Sequence, residues 1–187
     1  MQRNMSEQET HHETTVKVEG NDVFFYCDVN DETVTELHVA LKKLEKDLFT
    51  RLWDVDMIPT IRVHIRSDGG DLYAGLSSLD FLKNMKAHIV TLAEGCCASA
   101  ATFLFLGGKT RIVCRNAYIL IHQLSSDVWG TYENIKDEMR QCETLMKHMK
   151  RIYLRETKIP ERKLIKLMKR DLYLSYHKCK RYGISND

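Results

Sequence analysis

From Val23 onward the chain alternates between two hydrophobic periods, short apolar or alternating runs followed by stretches whose apolar residues return every three or four positions. Val23-Phe24-Phe25-Tyr26-Cys27 reads as a strand, and Val34, Leu37, Leu41, Leu44, Leu48 and Leu52 then mark one face of a helix. The unit repeats. Ile61-Arg62-Val63-His64-Ile65 alternates as a half-buried strand does, Ser67-Asp68-Gly69-Gly70 has the composition of a turn, and Leu72, Leu76, Leu79 and Leu82 predict a second amphipathic helix. His88 to Ala93 predicts a third strand that breaks at Gly95. Ala98 to Leu106 reads as a short buried helix closed by Gly107-Gly108, and Thr110 to Cys114 and Ala117 to Ile121 bring the strands to five. Strands alternating with helices through short connections imply an α/β fold, a mostly parallel sheet with right-handed crossovers.

The pattern then lengthens. Ile135, Met139, Cys142, Met146, Met149 and Tyr153 step by four and three in turn, the seam of a helix from Glu133 to Thr157 that extends ~37 Å at 1.5 Å per residue. That length exceeds a crossover, so the helix is expected to project and to bury its seam against the same helix of a second subunit. Pro160 suits the first turn of a further helix, and Ser175 suits the cap of a last one ended by Gly183. Residues 1–20 are polar and aperiodic and read as a mobile leader; residues 21–187 read as one domain. The His11-His12 pair in the leader is too small a set to specify a metal site.

Composition changes this picture only by exclusion. A hydrophobic content of 43% with 29% charged residues is that of a globular chain rather than a disordered one. The 28 basic and 26 acidic residues leave a net charge of +2, so no global field points to nucleic acid or to a membrane surface. Six cysteines, Cys27, Cys96, Cys97, Cys114, Cys142 and Cys179, show no C-x-x-C spacing and fall mostly in apolar segments, which predicts buried free thiols, a reducing compartment and a cytoplasmic location. The first twenty residues lack an apolar core of the secretory type, and Ala98 to Leu106 falls far short of the ~20 residues of a membrane span. The eight histidines form no H-E-x-x-H arrangement, and neither a metal nor another cofactor is expected.

The candidate chemistry lies at the ends of the predicted strands. Ser99 follows Gly95-Cys96-Cys97-Ala98 and opens the short apolar helix, where backbone N–H groups can face a developing oxyanion; read alone, it is better explained as a helix cap. Gly69-Gly70 can be a tight turn or a place where backbone N–H groups approach a substrate carbonyl. His122 closes a strand, where it serves as a general base or as a structural histidine, and Asp171 can be a solvated turn residue.

In order, Arg66-Ser67-Asp68-Gly69-Gly70, Gly95-Cys96-Cys97-Ala98-Ser99-Ala100, Leu120-Ile121-His122-Gln123, Arg170-Asp171, Tyr173-Leu174-Ser175 and Tyr182-Gly183-Ile184 resemble the ClpP family of caseinolytic serine peptidases. The resemblance implies a spiral of βαβ units with a projecting handle helix, a fold shared with crotonases. It implies Ser99 as nucleophile, His122 as general base and Asp171 as the group that orients the imidazole, with the N–H groups of Gly70 and Ala100 as the oxyanion hole. It also implies a handle over about 123–157, opened by a strand from Ser125 to Tyr132, and pore loops supplied by the leader. Partners implied are further copies of the chain in stacked heptameric rings, an AAA+ unfoldase and unfolded polypeptide substrates. Asp68 stands where the family usually carries Pro, Leu124 replaces a Pro, and Lys169 replaces a common Asp beside Arg170. A catalytically silent scaffold subunit and a crotonase-like acyl-CoA enzyme are the alternative readings; thioester turnover would discriminate the latter.

Overall fold

The first helix starts where its sequence provides a reciprocal cap. Asn30 accepts from Thr33 N at 2.9 Å while Thr33 Oγ1 accepts from Asn30 N at 3.2 Å, so two otherwise unpaired donors are satisfied at the start of α1 (Asp31–Arg51). The computed structural model describes residues 15–187. Along the chain, β1 (Val16–Glu19) and β2 (Asp22–Phe25) precede α1, and β3 (Thr60–Ser67), α2 (Leu72–Lys83), β4 (His88–Ala98) and α3 (Ala101–Leu106) follow it. The remaining elements are β5 (Thr110–Val113), β6 (Tyr118–Leu120), α4 (Tyr132–Glu156), α5 (Glu161–Met168), β7 (Leu174–Ser175) and α6 (Tyr176–Arg181).

The strands form one sheet in the order β1-β2-β3-β4-β6-β7, with β5 also paired to β4. Its interior pairings are parallel and its outer ones, β1 with β2 and β6 with β7, are antiparallel. The alternating strands bury one register: Ile61, Val63 and Ile65 of β3 are fully buried beneath Leu37 and Leu41 of α1 and Leu79 and Leu82 of α2 within one core. All six residues of α3 are buried, which accounts for an apolar composition broken only by Thr102.

β4 divides its partners along its length. β3 pairs with its first half and again at Cys97, β5 pairs with Val90 to Ala93, and β6 pairs with its last residues, Cys96 to Ala98. The strand therefore continues through Gly95, at φ +62°, where the sequence pattern predicts a break: the glycine redirects the strand without ending it. Three further expectations change. Val16 to Glu19, assigned to the leader by their polarity, form β1, because Val16 is buried against the core and the segment folds back on β2. Residues 1–14, including His11-His12, lie outside the described residues. Ser125 to Tyr132 form no strand; these exposed residues run along the outside of the chain, and among the described residues no strand lies beside them to complete a ladder.

The long helix keeps its expected length. α4 begins behind the Thr131–Asn134 capping pair and buries only Met149, Ile152 and Tyr153 near its far end. Toward its start the seam is open, with Met139 60% and Tyr132 73% exposed beside the fully exposed Trp129. Ser175 stands at the start of α6 but makes no side-chain cap. The six cysteines are free thiols, of which Cys97 and Cys179 are buried and the other four half-buried. No helix among the described residues is long and apolar enough to cross a membrane.

Candidate active site

Strand register brings the candidate residues together. Ala98 pairs with Leu120 at the carboxyl ends of parallel β4 and β6, so Ser99 and His122 leave the sheet side by side. β7 runs antiparallel to β6, with Tyr118 opposite Ser175 and Ile119 opposite Leu174. Continuing that register three residues past Ile119 and Leu174 sets His122 opposite Asp171. On the other side Ser67 pairs with Cys97, and the same offset sets the Gly69-Gly70 turn beside Ser99 and Ala100. The carboxyl ends of parallel strands are where α/β sheets gather ligands.

The side chains meet as that register requires. His122 Nε2 lies 2.7 Å from Ser99 Oγ, and His122 Nδ1 lies 3.3 Å from Asp171 Oδ1. Ser99 has φ +54°, a conformation uncommon outside glycine, and its N–H is anchored to Leu120 O at 2.9 Å. It makes no helix cap: Ala100 occupies that position without a side-chain bond, and the Ser99 hydroxyl faces His122. The imidazole is three-quarters covered, but the Asp171 side chain is 78% exposed. This line therefore opens to solvent at its acidic end.

Gly70, at φ +140°, forms a bridge with Val29, through Val29 N to Gly69 O and Asp71 N to Val29 O. A side chain at Gly70 would overlap the Val29 carbonyl. Among the described residues, neither Gly70 N–H nor Ala100 N–H has a hydrogen-bond partner. Both are thus free to receive an acceptor, beside a serine whose hydroxyl is already bonded to an imidazole.

These groups open into a groove of about 870 Å³ between the Gly70–Tyr73 turn, the segment after His122 and the inner side of α4. The segment is tied to the helix where Leu124 N meets Met146 Sδ at 3.2 Å. Asp71, Asp127, Asp137 and Glu138 line the groove and no lysine or arginine does; Asp71 is committed to capping α2, accepting from Ala74 N at 2.7 Å. Asp68 is exposed and does not line the groove. Its carboxylate bears instead on Cys96, whose thiol is pushed up to about 11, first by burial and then by that neighbouring charge. Among the described residues no group of three or more histidine, cysteine or acidic side chains is gathered as a metal would require.

The Clp protease family model matches residues 8–187, nearly the whole chain. The chain belongs to the Clp protease family. It is 28% identical over 170 residues to the ATP-dependent Clp protease proteolytic subunit of Oltmannsiellopsis viridis, covering 87% of this chain and 80% of that one. It is 29% identical over 126 residues to the protein of the same description from Deinococcus radiodurans, covering 66% of this chain and 62%, less than two thirds, of that one. A ClpP1 mutant from Listeria monocytogenes shares the fold, with a TM-score of 0.76 at 24% identity over 89% of this chain and 90% of that one.

Within this Clp protease the sequence reading missed two side chains that touch the serine turn. Thr102 Oγ1 lies 2.6 Å from Ser99 O and 2.5 Å from Tyr153 Oη. The available signals were faint: one hydroxyl in the apolar run of α3, three residues after the serine, and one phenol on the apolar seam of α4.

Proposed function

We propose that this chain is the proteolytic subunit of a Clp-type peptidase, a serine endopeptidase that hydrolyses peptide bonds of unfolded polypeptides. The observation that carries the reading is the continuous line Ser99–His122–Asp171, at 2.7 and 3.3 Å, beside two unpaired backbone N–H groups at the head of a groove. Ser99 Oγ bonds to the scissile carbonyl carbon as its proton passes to His122 Nε2, and the carbonyl π electrons move onto oxygen. Gly70 and Ala100 N–H receive that oxyanion. As the C–N bond breaks, the imidazolium gives its proton to the departing amine, leaving an ester on Ser99. Water then attacks the ester carbonyl carbon as its proton passes to His122, and when the bond to Ser99 Oγ breaks the imidazolium returns that proton to the serine and the acid leaves. Asp171 holds Nδ1–H and stabilises the imidazolium without itself taking the proton.

The open seam of α4 supports self-association. Tyr132, Ile135 and Met139 present an exposed apolar strip on a helix anchored only near its far end, and Trp129 extends it. Pairing of these strips between two rings of subunits would cover them, and would give the segment from Ser125 to Tyr132 a neighbour to pair with. An AAA+ unfoldase that delivers extended chains completes the reading. The relatives named ATP-dependent Clp protease proteolytic subunits support this assembly.

Labelling with a fluorophosphonate after size-exclusion separation tests the proposal, with Ser99→Ala as control and the adduct located by peptide mass. An adduct on Ser99 in a large-particle fraction is the expected result. A large particle that stays unlabelled and cleaves no fluorogenic peptide would make the chain a silent scaffold.

A further inference from the structure

Tyr153 lies near the root of α4, 1% exposed, with its ring 5.3 Å from that of Phe103. Its hydroxyl lies 2.5 Å from Thr102 Oγ1, which lies 2.6 Å from the carbonyl oxygen of Ser99. A carbonyl only accepts, so the single proton of Thr102 is committed to Ser99 and the Tyr153 hydroxyl is the donor to Thr102. The line therefore has one direction, from the long helix to the serine turn. Thr102 N donates to the same carbonyl at 3.0 Å, so Ser99 C=O is held by two donors of one residue.

Ser99 C=O and Ala100 N–H belong to one planar trans peptide group, in which the two bonds point in opposite directions. Fixing the carbonyl toward α3 turns the Ala100 N–H the other way, to the side of the turn that opens on the groove. The turn needs such a hold, because Ser99 sits at φ +54°, a conformation that persists only where its surroundings enforce it. Donation into the carbonyl also polarises the peptide and makes its N–H the stronger donor.

We infer that Thr102 and Tyr153 are positioning residues that aim the Ala100 N–H at the oxyanion, Tyr153 acting through Thr102. This rests on the reading of Ser99 as nucleophile and Ala100 N–H as oxyanion donor. Neither residue touches the reacting atoms; the N–H they aim meets a charge that develops only in the transition state, so their effect falls there and not on substrate binding.

The test uses the full-length assembled protein, a fluorogenic peptide and a tripeptide aldehyde, whose hemiacetal with Ser99 places an oxygen in the oxyanion hole. Thr102→Val keeps the shape and removes the donor. It is expected to lower kcat about tenfold, a fraction of the loss seen when an oxyanion donor is removed outright, and to weaken aldehyde inhibition by the same factor with KM unchanged. Thr102→Ser, which keeps the hydroxyl, stays within about twofold of wild type, and Tyr153→Phe loses about threefold. Thr102→Val strands the buried Tyr153 hydroxyl and lowers the melting temperature; pairing it with Tyr153→Phe removes both partners and restores stability. The double variant is expected to regain the melting temperature while kcat stays at the Thr102→Val level. Recovery of kcat along with stability, or wild-type kcat and aldehyde affinity in Thr102→Val, would overturn the inference by making the pair merely structural. Fluorophosphonate labelling of wild-type Ser99 runs in parallel. A wild type that neither labels nor cleaves defeats the peptidase reading and this inference together; an active wild type with unaffected variants defeats this inference alone.

Discussion

Removing Asp171 by substitution to Ala tests how much an orienting carboxylate contributes when water surrounds it. At 3.3 Å from His122 Nδ1 its attraction for an imidazolium is about 1.3 kcal/mol in a medium of dielectric 80 and about 5 kcal/mol at 20. With 78% of its side chain exposed, the lower end applies, and ~2 kcal/mol corresponds to a loss of about 30-fold in kcat/KM. Removing a buried carboxylate from such a line costs on the order of 10⁴. Salt separates the two cases. The Debye length falls from about 30 Å at 0.01 M to about 3 Å at 1 M, so an exposed pair at this distance keeps roughly a third of its attraction at high salt. The assay is hydrolysis of a fluorogenic peptide by wild type and Asp171→Ala across that range, read as the ratio of their kcat/KM values. The ratio should shrink from about 30 to below about tenfold. A loss of 10⁴ that does not move with salt would refute the reasoning and show Asp171 to be sequestered in the active particle.

Gly69→Ala would place a methyl group 2.6 Å from Ser99 Cβ and 2.8 Å from Ala98 O at φ +103°; peptidase activity should fall by at least about 100-fold, because the serine must move to make room. Glu45 accepts from Lys86 N at 2.7 Å and from the buried Ala87 N at 3.0 Å, so Glu45→Ala strands the latter donor and should cost about 2 kcal/mol, seen in calorimetry as a melting temperature roughly 4–8 °C lower. His64 lies between Asp22 and Glu94 at 2.9 and 3.0 Å; burial alone would lower its pKa, but the hydrogen bonds of the two carboxylates outweigh it and raise it above 6.5. The raised pKa stabilises the fold below pH 6.5 and that gain is lost as pH climbs through the folded value, so the melting temperature of His64→Gln should trail wild type most at pH 5.5 and approach it above pH 8. Met139→Asp sets a charge on the exposed strip of α4, and size-exclusion chromatography should show smaller particles than wild type if that strip joins subunits.

The parts of this molecule that declare themselves in the sequence are those whose burial is set by local period. The apolar faces of α1 and α2, the alternation of β3 and the seam of α4 each follow from one side of an element being dry. Ser99, His122 and Asp171 were legible as strand-end residues, but their meeting depends on pairing register between strands distant in the chain. β1 was hidden because an edge strand of four residues needs only one buried side chain, Val16, while Lys17, Val18 and Glu19 stay exposed. The strand expected from Ser125 to Tyr132 has no neighbour among the described residues, and no period in its own residues supplies one. Thr102 and Tyr153 read as ordinary apolar-face positions, because hydroxyl direction is a property of the packed structure.

The shape of α4 has a mechanical consequence. A helix buried at Met149, Ile152 and Tyr153 and exposed toward Tyr132 is a lever that pivots at Tyr153, with the serine turn at the end of its short arm. From Tyr153 to Tyr132 the long arm measures ~32 Å, while the short arm, the reach of the Tyr153 side chain from the helix axis, is about 6 Å. A tilt of about 5° that carries the tip roughly 3 Å moves the phenol by about half an ångström, enough to stretch a hydrogen bond of 2.5 Å to the long end of its range. Whatever grips the tip of this helix thus pulls on Ser99 with about fivefold leverage.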